Sequence, residues 1–359
     1  MKIGKIITNL IALVNLVLVV AMLAVAYSER LHPEEHHMLS LAGLAFPIFV
    51  GINGLFLLFW LLIGRFRFLL LPLLGFVLCY PQLSATFPLH LFRGEVPEPH
   101  LKLLSYNIES FASHVKGEDG NPILNYLRDS QADIICLQEY SVSGSKKLLR
   151  QKDVDDELGD YPYHHINRAH SLACYSKYPI LTANPLEGKN KGGNGSMVYE
   201  IEVEGDTLLV INCHLQSNRL NDDDKAAYAD IIDDPDRDKV EEGLHHFTQK
   251  LGEASALRAP QAEAVAQAVA ESPHATVVVM GDFNAPPVSY PHYVITRHLH
   301  DAYARSGKGL GISYHQNRFY FRIDHILISP NLKSHHCQVD NTIGASDHYP
   351  ISCFVTKKQ

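Results

Sequence analysis

The sequence predicts an α/β protein, a mixed β-sheet core covered by helices and preceded by three transmembrane helices. Three observations carry this. Three long runs before residue 88 lack charged side chains; after residue 100, short apolar runs alternate with helical patterns; and several of those strand-like runs follow one another with no helix between. The 359 residues are 46% hydrophobic and only 19% charged, with a net charge of −8. That low charged share has a local cause. Residues 1–90 hold five Lys/Arg and three acids, which leaves 26 bases against 36 acids, a net of −10, for residues 91–359. A domain of that charge does not coat nucleic acid by electrostatics alone.

The runs 6–27, 39–63 and 68–87 are 22, 25 and 20 residues long, and each meets the roughly 20 residues a helix needs to cross a bilayer core. Residues 1–90 therefore read as a membrane anchor. Lys2 and Lys5 before the first run and Ala24-Val25-Ala26 at its end imitate a secretory signal, but the run is too long and two more follow. Orientation follows from the bases. Lys2 and Lys5 precede the first span, Arg65 and Arg67 sit in the turn after the second, and the 28–38 loop has more acid than base. The positive-inside rule puts the N-terminus and that turn in the cytoplasm. A third crossing then delivers the large domain to the periplasmic side of an inner membrane. Pro72, Pro81, Gln82, Ser84 and Thr86 interrupt that third run. Were it to lie in the interface, the large domain would be cytoplasmic.

Residues 91–100, with Pro97 and Pro99, form a linker, and 101–359 a single large domain. Apolar runs at 101–106, 133–138, 172–176, 197–203, 207–214, 276–281, 323–329 and 349–355 read as strands covered on both faces. Helical patterns lie at 121–131 and 256–270. The stretch 221–257 opens on Asp222-Asp223-Asp224 and continues as an amphipathic helix over 240–251. It lacks the glycine and terminal glutamate of a calcium loop and reads as a solvated helical insertion. The cysteines after the anchor fall in or beside apolar runs without metal spacing, as buried thiols do.

Polar residues gather at the strand ends. The run 103–106 leads into Asn107, 134–138 into Glu139, 210–213 into His214, and 277–281 into Asp282-Phe283-Asn284; Asp324-His325 opens the run 326–328, and Ser346-Asp347-His348 precedes 349–351. Singly each has a bland explanation, such as a turn or a surface acid. Jointly they do not, because acids beside buried strands are costly unless paired or bound to metal.

These blocks, Ser105-Tyr106-Asn107, Gln138-Glu139, His214-Leu215, Gly281-Asp282-Phe283-Asn284, Arg322-Ile323-Asp324-His325 and Ser346-Asp347-His348-Tyr349-Pro350, resemble the endonuclease/exonuclease/phosphatase superfamily over residues 100–356. The superfamily includes deoxyribonucleases, abasic-site endonucleases, sphingomyelinases and inositol-polyphosphate 5-phosphatases. The resemblance implies a four-layer sandwich of two mixed β-sheets flanked by helices, with the site at the sheet ends. It implies Glu139, Asn107 and Asp347 as Mg²⁺ ligands, with Mn²⁺ as a substitute, since Mg²⁺ takes one or two carboxylates and keeps several waters. It implies Asp282 as the residue that positions or deprotonates water, Asn284 beside it, Asp324 as partner of His348, and His214 at the phosphate or leaving oxygen. Whether Asp282 or His348 is the base stays open, and no acidic partner of His214 is identifiable.

The expected activity is membrane-anchored, metal-assisted hydrolysis of phosphodiesters in nucleic acid or lipid headgroups, by in-line attack of water. Alternatives are a phosphomonoesterase on inositol-type phosphates and a non-catalytic, membrane-tethered binding module. Specificity is expected from loops at 146–147, 168–171, 216–219, 290–292 and 314–321, the last rich in aromatic and basic residues. The expected partners are the phosphate ester and the lipid bilayer; no protein partner is inferable.

Overall fold

The computed structural model describes residues 2–112, 120–142, 149–186, 194–218, 220–233, 236–316 and 318–358. The apolar runs at the N-terminus give two stretches long and apolar enough to cross a membrane, Gly4–Arg30 and Leu39–Leu62. They contain α1 (Lys2–Tyr27) and α2 (Phe46–Leu62), the latter led in by a 3-10 helix, Leu39–Ala45. Leu10, Leu13, Val17, Ile48, Leu55 and Leu58 face outward, as side chains of a lipid-facing surface do. Between the helices the polar groups pair: Trp60 Nε1 donates to Asn15 Oδ1 (2.9 Å) and Asn15 Nδ2 to Asn53 Oδ1 (3.2 Å), which removes their cost in an apolar medium.

The third expected span is not one straight helix. A 3-10 turn, Phe66–Leu69, and α3 (Leu70–Leu78) lead into α4 (Tyr80–Thr86), and the two arms meet at a 73° bend. Pro81, in the first turn of α4, has no N–H for a continued ladder, and its ring excludes the carbonyl four residues back. Beyond the bend, Gln82 Nε2 donates to Glu29 Oε1 at 2.6 Å.

In chain order the strands are β1 (Leu101–Asn107), β2 (Ile134–Gln138), β3 (Tyr163–Asn167), β4 (Leu172–Ser176), β5 (Ile180–Pro185), β6 (Gly195–Val203), β7 (Asp206–His214), β8 (Thr276–Asp282), β9 (His300–Asp301), β10 (Asp324–Ile328), β11 (Leu332–Val339) and β12 (Ile351–Lys357). The helices are α5 (Glu109–Ala112), a left-handed turn, then α6 (Pro122–Asp129), α7 (Gln151–Glu157), α8 (Asp222–Asp233), α9 (Arg237–Ala270), α10 (Tyr290–Ile295) and α11 (Ala302–Ser306). One six-stranded sheet has the order β11-β12-β1-β2-β4-β3, the other β5-β6-β7-β8-β10-β9. Each is mixed, since β1/β2 and β7/β8 are parallel and their other neighbours antiparallel.

Strand alternation makes the layers. Leu103, Ile134 and Cys136 of the first sheet meet Met197, Val210 and Met280 of the second in the central core. Their sequence neighbours point outward: Leu104, Ile135 and Leu137 pack under Leu124, Leu127 and Val154, while Leu209, Ile211 and Val279 pack under Ala262 and Val265. The result is two mixed sheets flanked by helices. All six cysteines are free and buried.

The predicted insertion does not end at residue 257. After α8, α9 runs for 34 residues from Arg237 through Pro260 to Ala270, joining the insertion to the helix expected over 256–270. At Gly252 α9 comes close to His37 of the N-terminal segment: a Cβ there would lie 3.3 Å from the Cβ of His37.

Candidate active site

Pairing registers bring the polar strand ends to one rim. The parallel β1/β2 ladder sets Asn107 opposite Gln138, beside Glu139. The parallel β7/β8 ladder sets His214 opposite Asp282, and the antiparallel β8/β10 ladder sets Asp324 opposite Asp282. Glu139 and Asn284 turn the chain out of their strands with φ of 54° and 50°. Ser346 fixes the loop before β12: its Oγ donates to Asn107 O (2.8 Å) and accepts from His348 N (3.2 Å).

At the centre, Asp324 Oδ2 lies 2.8 Å from His348 Nδ1, and His348 Nε2 lies 3.7 Å from Asp282 Oδ2. Asp282 Oδ2 accepts from Asn107 Nδ2 (3.1 Å) and Asn284 Nδ2 (3.2 Å), and Oδ1 from Asn284 N (2.8 Å). His214 Nε2 stands 3.7 Å from Glu139 Oε1 and 3.8 Å from Asp282 Oδ2. Neither of its ring nitrogens has a hydrogen-bond partner among the described residues. Asn107 Nδ2 also donates to Glu139 Oε1 (3.2 Å), while its carbonyl oxygen accepts from Glu109 N (3.3 Å). The amide thus presents its nitrogen, not its oxygen, to the two carboxylates. Asp347 lines the same cavity as Glu139, Asp282, Asn284 and His348. Of the eight expected residues, seven are joined through these contacts and the eighth shares the cavity.

Burial disfavours a charged imidazole, but the carboxylates of Asp324 and Asp282 outweigh it and raise His348 to about 10. Burial raises Asp282 above its usual range, the Asp324 carboxylate adds to this, and the two histidines oppose it. The rim therefore pairs an imidazolium with a carboxylate that holds its proton more tightly than usual.

Two groups lie outside the expected set. Arg258, on α9, is buried at the cavity wall; its Nε donates to Gln216 O (2.8 Å) and Nη2 to Asn218 Oδ1 (2.6 Å). Burial lowers its pKa to about 10, partly offset by Asp282, so it is a cation at neutral pH. An arginine in an Ala-rich helical stretch gave no sequence signal. Below the rim, Gln138 Nε2 donates to Asn212 Oδ1 (2.7 Å) and Ser105 Oγ (3.1 Å), and Asn212 Nδ2 to Leu137 O and Ala173 O (3.1 Å each), tying one sheet to the other. Here a signal exists, since Ser105 and Asn212 lie two residues before Asn107 and His214 and so share their faces.

The loops divide. Tyr314, Phe319 and Phe321 line the cavity, with the Tyr314 ring 5.2 Å from that of His348. Residues 146–147 and 219 lie outside the described residues. Tyr290 and His292 turn away: Tyr290 Oη donates to Glu263 Oε1 (2.5 Å), and His292 Nε2 lies 3.1 Å from Asp301 Oδ2. His292, Asp301 and His325 cluster as metal ligands do. Arg322 already supplies the cation there, with Nη2 2.9 Å from Asp301 Oδ2, and His325 Nε2 is bonded to Ala285 O at 2.9 Å. A larger cavity, about 630 Å³, opens at the opposite end of the sheets between Pro97–Leu101 and Val355–Lys358, far from these groups.

Comparison with known proteins gives two family matches: Endonuclease/Exonuclease/phosphatase family over residues 104–348, and a domain of unknown function (DUF8431) over residues 8–86. No curated protein matches in sequence. Similar solved structures include TDP2 from C. elegans (16% identity, 73% of this chain and 76% of that one, TM-score 0.49). D. rerio TDP2 complexed with single strand DNA product is also similar (15%, 72% and 100%, 0.49), as is SmcL (14%, 72% and 100%, 0.47). The first family match spans more than half of the sequence, and by it the chain belongs to the endonuclease/exonuclease/phosphatase family, hydrolases that act on phosphoester bonds.

Proposed function

We propose that the protein is a divalent-metal-dependent phosphodiesterase, anchored in the membrane, that hydrolyses its substrate by in-line attack of water. The observation that carries this reading is the Asp324–His348–Asp282 chain, with Asn107, Glu139 and His214 closing around one point. The donor set fits a hard cation: Glu139 and Asp347 offer carboxylate oxygens to an open cavity, and Glu139, 41% exposed at its side chain, has room for metal-bound water. Mg²⁺, or Mn²⁺ in its place, would be held there, with Asn107 keeping Glu139 and Asp282 in place through its amide nitrogen. When bound, the cation supplies charge to the phosphoryl oxygens.

The chain's own residues do the rest. Asp324 fixes the tautomer and orientation of His348 through Nδ1, so that Nε2–H faces the cavity and donates to a phosphoryl oxygen. With His348 charged at neutral pH, Asp282 is the group left to orient water and take its proton. Two amide N–H groups on Oδ2, from Asn107 and Asn284, aim that carboxylate. Arg258 adds a buried cation for the phosphate anion, and its fork is already oriented by Gln216 and Asn218. His214 Nε2, between Glu139 and Asp282, stands where a leaving oxygen can take a proton.

The test is hydrolysis of bis-p-nitrophenyl phosphate by the full chain in detergent. Turnover should require a divalent cation, vanish with EDTA, return with Mg²⁺ or Mn²⁺, and fall about 10³-fold or more in Asp282→Ala. Turnover that persists in EDTA would end the metal reading, and full activity in Asp282→Ala would end the assignment of the base.

A further inference from the structure

The candidate catalytic cavity, about 280 Å³, has two unlike walls. One carries Glu139, Asp282, Asp347, His348 and Arg258. The other is apolar, and part of it comes from the anchor: Leu41 and Leu44, on the 3-10 helix that leads into α2, line the cavity together with Val288 and Phe321 of the large domain. The seam is tight, because a Cβ added at Gly43 would lie 2.1 Å from Val288 O. A second groove of about 60 Å³ shares Leu44, Val288 and Phe321 with the cavity and reaches Pro47, in the first turn of α2. Leu310 and Tyr320, 45% and 58% exposed, border it. An apolar track thus leads from the reacting groups to the start of a membrane-spanning helix.

Such a track serves an amphiphile. A nucleic acid gains nothing from an aliphatic wall and meets repulsion from the net −10 of residues 91–359. A lipid presents one phosphodiester and long apolar chains, and each methylene buried on the aliphatic wall adds to binding. Resting on the phosphodiesterase reading above, we propose that the substrate is a phospholipid of the bilayer that holds the anchor. Its phosphodiester lies among Asp282, His348 and Arg258, and its chains lie on Leu41, Leu44 and Val288. Hydrolysis forms one P–O bond to the water oxygen and breaks one P–O ester bond, and the departing alcohol takes the proton. The anchor is then part of the substrate site as well as a tether.

The experiment uses the full chain in vesicles of equimolar phosphatidylethanolamine and phosphatidylglycerol with Mg²⁺. Turnover on these lipids is measured beside turnover on bis-p-nitrophenyl phosphate and plasmid DNA. Lipid cleavage is expected, and in Leu41→Gln/Leu44→Gln the ratio of lipid to bis-p-nitrophenyl phosphate turnover should fall about tenfold or more. A second measurement needs no substitution: on the unaltered chain, kcat/KM should climb from dihexanoyl to long-chain phospholipid. Cleavage of bis-p-nitrophenyl phosphate or DNA without lipid cleavage, an unchanged ratio in the variant, or a flat chain-length series would overturn the lipid assignment and leave the phosphodiesterase reading standing. Inertness toward every diester would overturn both.

Discussion

At the scale of single residues, the proposed function makes the Asp324–His348 contact the feature that sets the pH range of the reaction. The largest effect on His348 is burial, which disfavours its proton, yet the Asp324 and Asp282 carboxylates bring it to about 10. A raised pKa of a required acid means that activity is present below it and lost as pH rises through it. Asp282, raised above its usual range, is required without its proton, so activity is gained as pH rises through its shifted value. The kcat/KM profile should therefore have an acid limb above pH 3.8, the unshifted Asp value, and an alkaline limb near 10. Asp324→Asn removes the main attractive charge and weakens control of the tautomer, so its alkaline limb should move to lower pH and kcat should fall about 10²–10⁴-fold. An alkaline limb that stays in place would show that His348 is not the group that titrates. That these side chains meet at one rim was legible in the sequence because each acid or imidazole follows or precedes a continuous apolar run, where nothing else explains a charge. Arg258 was not, since its role depends on α9 crossing the rim, a tertiary fact that helical periodicity does not carry.

At the scale of elements, the rim exists because neighbouring strands end together, and Gly281 is what lets β7 and β8 do so. Its φ is +144°, and a Cβ there would lie 2.0 Å from Cys213 O, the backbone of its cross-strand partner. Only glycine accepts both the conformation and the approach. Gly281→Ala should destabilise the chain by about 3 kcal/mol or more, read as a lowered midpoint of thermal unfolding in detergent. It should also separate His214 from Asp282, lowering kcat more than KM rises. A wild-type midpoint would show that the strands part without cost. The same element-level view explains what the sequence concealed. All eight apolar runs are strands, but β3, β5 and β11 are partly exposed edge or near-edge strands with few consecutive apolar residues, and β9 has two residues. Edge strands lack the double-sided burial that makes a strand visible as a run. The join of the acidic insertion to the following helix is a single α9 that runs through Gly252 and Pro260, residues that ordinarily interrupt a helix.

At the scale of the whole molecule, the course of the chain decides on which side of the membrane the site lies. The 28–45 segment belongs to the side of the large domain: His32 Nε2 lies 3.2 Å from Glu263 Oε1, and Gly43 packs on Val288. The end of α4 is on that side too, since Arg322 Nη2 donates to Ala85 O at 2.6 Å and Gly309 N to Pro88 O at 2.9 Å. Between these points α2, about 26 Å long, leads away to the turn that carries Arg65 and Arg67. On the three-span reading, the bent pair α3–α4, its arms at 73°, brings the chain back as one broken span. On that reading, with bases on the far turn and at Lys2 and Lys5, the positive-inside rule predicts those points in the cytoplasm and the large domain outside it. A reporter that functions only outside the cytoplasm should be active when fused to the C-terminus and silent when fused after Gly64. Silence at both positions would mean that α3–α4 does not cross. Activity after Gly64 with silence at the C-terminus would keep the three passages but invert the molecule, putting the candidate site and its apolar track at the cytoplasmic leaflet.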